Sequence, residues 1–319
     1  MSFRAAAIAL LLALLPVRVL AGDTPTYPAI DVTTYPAVEP ARVYAADGAE
    51  QWGAARVGVP QAWAMADGAG VVVAVVDSGV DAAHPDLAGR VLPGRNVWDG
   101  GDTGDVCGHG THLAGIVAAV APGAMLLPVK AMADECYGTY SALIDGIVYA
   151  ADAGAQVILI ASGAYFAGGA LREAVVYAQE RGALVVAAAG NGGCGAPFYP
   201  AAYAYAVSGT DYVDGVYWRS DYGPHIAVAA PAVEIWSAAP GGYAIRSGTS
   251  MAAAHAAGAA ALVWAARPEL TAEGVAALLR ASADDCGEPG RDDRCGDGRV
   301  NAWRATAPVQ AWLPWVGVE

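Results

Sequence analysis

The chain is 319 residues long, 56% hydrophobic and 15% charged, with a formal net charge of −14. That balance suits one large globular domain with a buried core, and the acidic surplus argues against nucleic acid or an anionic membrane as a partner. Lys130 is the sole lysine. Five cysteines (Cys107, Cys136, Cys194, Cys286 and Cys295) leave at least one without an intrachain partner.

The first stretch, MSFRAAAIALLLALLPVRVLAGD, has the composition of a signal peptide over residues 1–21. Arg4 supplies the positive start, Ala5 to Val17 the apolar run, and Val19-Leu20-Ala21 a small-residue cleavage site. A spanning anchor needs about 20 apolar residues, and Pro16 and Arg18 interrupt this one early. Export with cleavage is therefore expected, to the periplasm or beyond, with no stable membrane insertion. Oxidation of cysteines is then possible.

Residues 22–50 are rich in Pro, Thr and Ala and predict an extended lead-in. From Gln51 the pattern changes. VVVAVVD (71–77), MLLPVKAM (125–132), VILIA (157–161) and ALVVAAAG (183–190) are short apolar runs that suit strands buried on both faces. Between them THLAGIVAAV, SALIDGIVYAADAG and LREAVVYAQERG read as helices, the last two with glycine stops. TSMAAAHAAGAAALVWAARPEL predicts a long buried helix opening at Thr249-Ser250. Strand and helix in alternation imply a three-layer α/β/α domain with a mainly parallel central sheet, here residues 51–305, followed by a tail, 306–319. Sites in such sheets lie at the strand carboxyl ends, where Asp77 and Asn191 fall.

DVCGHGTHLAGI (105–116) places two histidines three positions apart beside an aspartate and a cysteine. A zinc site needs further ligands, about three from the protein in a catalytic site; His84, His225 and His255 stand in unrelated motifs and HExxH is absent. Nucleophilic acyl transfer instead needs a hydroxyl, an imidazole to take its proton, a carboxylate to orient the imidazole, and donors for the oxyanion. Asp77 in VVDSGVDAAHPDL, His109 in GHGTH, Asn191 in AAAGNGG and Ser250 in SGTSMAAAH supply those groups. Singly each is weak, since a serine opening a helix is usually an N-cap. A lipase-type elbow at GTSMA is disfavoured, because that fold needs a histidine late in the chain and His255 follows Ser250 by one helical turn.

Taken together and in this order, the four motifs resemble the subtilisin family of serine proteases. The resemblance runs from QWGAARVGVPQAW (51–63) through GDGRVNAWRA (296–305), and includes FYPAAYAYAV and SDYGPHIAVAAP. It implies that Asp77 orients, His109 is the general base, Ser250 is the nucleophile, and Asn191 and the Ser250 N–H hold the oxyanion. It implies protein or peptide substrates, lying as an extended strand against Ala161, Ser162 and Gly163, with Gly138 and Tyr140 on the opposite rim, and a monomer that needs no cofactor for its chemistry. The bland alternative is an inactive homologue that binds peptides.

Departures from the family set further expectations. Ala161-Ser162-Gly163 stands where relatives usually read Ser-Leu-Gly; backbone pairing survives such replacement. Phe198 replaces a small residue near the floor of the first specificity pocket and is expected to shorten it. GIVAAVAPGA (115–124) lacks the insertion that forms the strong calcium loop, so Asp86 is expected to serve as a cap or turn residue and a tight calcium is not expected there, while structural calcium as such is left open. Residues 22–50 are too few for the folded propeptide of many relatives. By the same resemblance Cys107 and Cys136 form one disulfide; Cys286 and Cys295, flanking GEPGRDDR where relatives usually lack cysteine, suggest by their paired appearance a short closed loop; Cys194 is left as an inert or a redox-sensitive thiol. His112 is expected to pack or bond within its helix, and His255 to be structural.

Overall fold

The Val-rich run ending at Asp77 forms strand β1 (Val72–Asp77), buried along its whole length. It is an interior strand of a seven-stranded sheet with β2 (Arg95–Asn96), β3 (Met125–Lys130), β4 (Val157–Ile160), β5 (Leu184–Ala188), β6 (Tyr205–Thr210) and β7 (Ile226–Pro231). The strand order is β2-β3-β1-β4-β5-β6-β7, and every neighbouring pair is parallel. The computed structural model describes residues 51–308; the expected signal peptide (1–21), the lead-in (22–50) and residues 309–319 of the expected tail lie outside the described residues.

Alternate β1 residues point to opposite faces, which divides the core in two. Val73 and Val75 face a layer that includes the short helices α1 (Trp52–Arg56) and α2 (Val59–Ala62), with α3 (His109–Val120) and α6 (Thr249–Ala266). Val72, Ala74 and Val76 face α4 (Tyr140–Asp152) and α5 (Gly169–Glu180). Helices cover both faces, giving the three-layer α/β/α arrangement expected. α6 is apolar on all sides because it runs through the core, nearly every residue buried, as an all-round hydrophobic helix must. Its crossing with α3 is close. A Cβ on Gly258 would stand 2.6 Å from Val120 Cβ.

Two further helices, α7 (Ala272–Ala281) and α8 (Ala302–Thr306), close the domain, the second tied to the first segment by Ala302 N–H donating to Val57 O at 2.7 Å. Outside the sheet, β8 (Ile235–Ala239) and β9 (Gly242–Arg246) form an antiparallel hairpin turning at Pro240-Gly241, with Gly241 at φ 75°. The hairpin lies against α3. The Ser237 hydroxyl donates to His112 O at 2.8 Å.

Candidate active site

Three of the four sequence-selected polar side chains sit just past a parallel strand or at the start of the helix that follows one. Asp77 ends β1 and His109 opens α3. Asp77 is fully buried. Its Oδ1 accepts from its neighbour's Ser78 N–H at 2.8 Å and from His109 Nδ1–H at 2.7 Å. A carboxylate only accepts, so this bond fixes the proton on Nδ1 and leaves Nε2 with its lone pair. Burial of the ring works against protonation, yet the charge and hydrogen bond of Asp77 outweigh it, and the His109 pKa is raised above 6.5; Arg246 acts in the lowering sense.

The start of α3 is organised by Asp105, a buried carboxylate that sequence reading noted without a role. Its Oδ1 accepts from the Ser78 hydroxyl at 2.9 Å and Gly108 N–H at 2.8 Å. Its Oδ2 accepts from Thr111 N–H at 2.8 Å and the Thr111 hydroxyl at 2.6 Å. Ser78 in turn accepts from Gly110 N–H at 2.9 Å. The segment after β1 is thereby fastened to the first turn of α3, so Asp77 and His109 keep their relative positions. Gly110 is required by close approach, since a Cβ there would lie 2.1 Å from Gly79 O.

Ser250 is the second residue of α6, in the helix's positive amino end. Asn191 is bound to the same helix start. Its Oδ1 accepts from Thr249 N–H at 2.9 Å, which commits the amide oxygen and turns the Nδ2 donors outward. The hydrogen bond found for the Ser250 hydroxyl is a long one, 3.4 Å, to Ala161 O at the exit of β4. The hydroxyl thus rests against Ala161 of the expected substrate strand, and among the described residues no hydrogen bond joins it to His109; a base–nucleophile bond often tightens only once substrate is bound.

A cleft of about 780 Å³ brings together His109, Gly138, Tyr140, Ala161, Ser162, Gly163 and Phe198, with Arg246 as a further lining residue. The residues expected on the two rims therefore line one cleft. Gly138 pairs with Met132 across an antiparallel bridge, and the Tyr140 hydroxyl donates to Phe166 O at 2.8 Å. The Cys107–Cys136 disulfide, with Cα atoms 5.4 Å apart, joins the approach to His109 to this rim. Cys286 and Cys295 form the second bridge, Cα to Cα 6.0 Å, and Cys194 is a free thiol.

His112 and His255 are both buried, as expected of packing residues. His112 does not bond within its helix: Nε2 contacts Ile235 O and Ala244 O, both at 3.1 Å, so it clamps α3 to the hairpin. Burial lowers its pKa to about 4. His255 Nδ1 donates to Met251 O at 2.8 Å in the core, and burial lowers its pKa to about 4 as well. The residues around Asp86 do not fit a calcium ion. Asp86 Oδ1 accepts from the Tyr243 hydroxyl at 3.2 Å. Nearby the buried Arg90 donates to Pro122 O at 2.8 Å, and Asp86 stabilises its charge against the lowering effect of burial. The guanidinium thus reaches Pro122, within the 115–124 stretch that lacks the insertion. Another cation is Lys130, whose Nζ donates to Gly104 O at 2.9 Å and Asp134 Oδ1 at 2.6 Å.

A parallel sheet that holds a buried aspartate bonded to a histidine of the cleft, with a helix-borne serine against Ala161 of the cleft wall, has the parts of an α/β serine hydrolase. The chain belongs to the subtilase family, whose profile matches residues 68–298. It is 42% identical to thermitase of Thermoactinomyces vulgaris over 269 residues, covering 80% of this chain and 95% of that protein. It is 39% identical to subtilisin Savinase of Lederbergia lenta over the same share of this chain and 98% of that one. Among solved structures, a lanthipeptide protease superposes with a TM-score of 0.75 at 28% identity, covering 80% of this chain and 93% of that chain.

Proposed function

We propose that this protein is an exported serine endopeptidase that cuts peptide bonds through an acyl-enzyme on Ser250. His109 Nε2 takes the Ser250 proton as Oγ attacks the scissile carbonyl, and Asp77 holds the resulting imidazolium. The oxyanion is met by Asn191 Nδ2–H and by the Ser250 N–H at the amino end of α6. His109 then gives its proton to the leaving amine, and water repeats the sequence in reverse roles to release the acid. Peptide lies against Ala161-Ser162-Gly163 by main-chain pairing, opposite Gly138 and Tyr140.

The observation that carries this reading is the 2.7 Å bond from His109 Nδ1 to a carboxylate with no solvent exposure, because it sets the tautomer the base needs. Two disulfides and the N-terminal apolar run support export. The chemistry needs no metal or other cofactor, and a monomer is sufficient for it.

A fluorophosphonate probe tests the proposal. Covalent modification at Ser250, with casein hydrolysis that disappears in Ser250→Ala by about 10⁶-fold, is expected. Folded protein that takes no label and leaves casein uncut would instead be a peptide-binding homologue.

A further inference from the structure

The proposed mechanism makes no use of a carboxylate buried behind the oxyanion segment. Asp221 is fully buried, and its own N–H donates to Gly190 O at 3.0 Å, which sets it directly beneath Gly190-Asn191. Asp221 Oδ1 accepts from Cys194 N–H at 2.9 Å. Oδ2 accepts at 2.6 Å from the hydroxyl of Tyr165, which follows the 161–164 segment of the cleft lining.

Two glycines show how closely these groups converge. A Cβ on Gly190 would stand 2.1 Å from Asp221 Oδ2 and 2.9 Å from Phe198 Cγ. One on Gly192 would meet the Tyr165 hydroxyl at 2.4 Å and Asp221 Oδ1 at 3.1 Å. On the opposite wall, a Cβ on Gly163 would lie 2.8 Å from Phe198 Cε1. The Phe198 ring therefore spans the gap between the 161–163 wall and the 190–192 wall. Tyr165 packs edge-on against it, ring centroids 5.1 Å apart. Ala164 and Tyr199 exchange backbone hydrogen bonds of 3.0 and 2.8 Å, so the segments carrying the two rings are locked together. Tyr165 is 47% exposed, yet its hydroxyl is spent on an inward carboxylate.

We propose that Tyr165 is a specificity-determining stopper. With Phe198 it fills the pocket for the residue before the scissile bond, restricting that residue to glycine, alanine or serine. Its hydroxyl masks Asp221, a carboxylate that selects lysine or arginine once uncovered. This deepens the endopeptidase reading and rests on it. The physical reason is that a buried carboxylate must be paired. Tyr165 is the partner in the native enzyme, and a basic substrate side chain is the charge-assisted replacement.

The test is a panel of peptide p-nitroanilides that differ only in the residue before the scissile bond, together with fluorophosphonate labelling. Wild-type enzyme is expected to favour alanine over phenylalanine and arginine by at least about tenfold in kcat/KM. Tyr165→Gly is expected to raise the arginine-to-alanine ratio by about 100-fold, and the added change Asp221→Asn to remove that gain while leucine remains accepted. Tyr165→Gln keeps a donor for Asp221 but no ring, so leucine improves and arginine does not; this variant and the wild-type panel decide the matter if Tyr165→Gly does not fold. Wild-type preference for phenylalanine or arginine overturns the inference. So does an active Tyr165→Gly enzyme with an unchanged ratio. Those results leave the labelled nucleophile standing, whereas folded wild type with no label and no hydrolysis removes the endopeptidase reading and this inference with it.

Discussion

At His109, burial opposes the proton while Asp77 favours it, and the outcome is a base held above its ordinary 6.5. Since the base must be neutral to act, kcat/KM is expected to rise with pH through a midpoint above 6.5. Arg246, whose guanidinium also donates to Cys107 O at 3.3 Å, pulls that midpoint down. Arg246→Ala should therefore move the acidic limb to higher pH, read from a pH–rate profile with a small peptide substrate. Asp105 fastens the start of α3, and its charge also helps to raise the His109 pKa. Asp105→Ala leaves the Ser78, Gly108 and Thr111 donors without their acceptor, and the expected cost is about 10- to 100-fold in kcat, as for other supporting-shell losses. KM for the same peptide should change far less, because Asp105 touches none of the cleft wall.

Elements differ in how plainly they were written into the sequence. β1, β3, β4 and β5 announced themselves as unbroken apolar runs because helices cover both of their faces. β6 and β7 were present in the family-matching stretches but not marked as strands: YAVSGT carries Ser208 and Thr210, buried hydroxyls that break an apolar run. The β8–β9 hairpin went unseen because β9 is only partly buried and shows no clean alternation. The polar quartet was legible through fixed local motifs, whereas Arg246, Asp105 and the Tyr165–Asp221 bond depend on segments 27 to 139 residues apart meeting in space. The disulfide on the cleft rim closes a separation of 29 residues. Breaking it by Cys107→Ser with Cys136→Ser should cost about 3 to 4 kcal/mol by loop entropy, measured by denaturant unfolding. At the Asp86 turn the carboxylate accepts from Tyr243 and lies beside the Arg90 charge, so EDTA is expected to shift the melting temperatures of wild type and Asp86→Asn alike, within about 1 °C of each other.

Over the whole molecule, two internal histidines set the acid limit. His112 and His255 have pKa values lowered to about 4 by burial, while an unfolded histidine titrates near 6.5. Between those values the unfolded chain binds more protons, so stability is full above pH 6.5 and is lost as pH falls toward 4. Each contributes on the order of 3 kcal/mol to that loss, partly offset by His109, whose raised pKa works in the other direction. Denaturant unfolding at a series of pH values should show this slope, and His112→Gln should remove about half of the histidine contribution.

Lys130, the single lysine of the chain, is 5% exposed at the carboxyl end of β3. A lysine-directed endoproteinase therefore has one peptide bond to attack, and folded protein hides it. Cleavage into two fragments becomes a single-hit readout of global opening, its rate tracking the open population when reclosure is fast. Loops and termini that breathe locally contribute nothing to that signal.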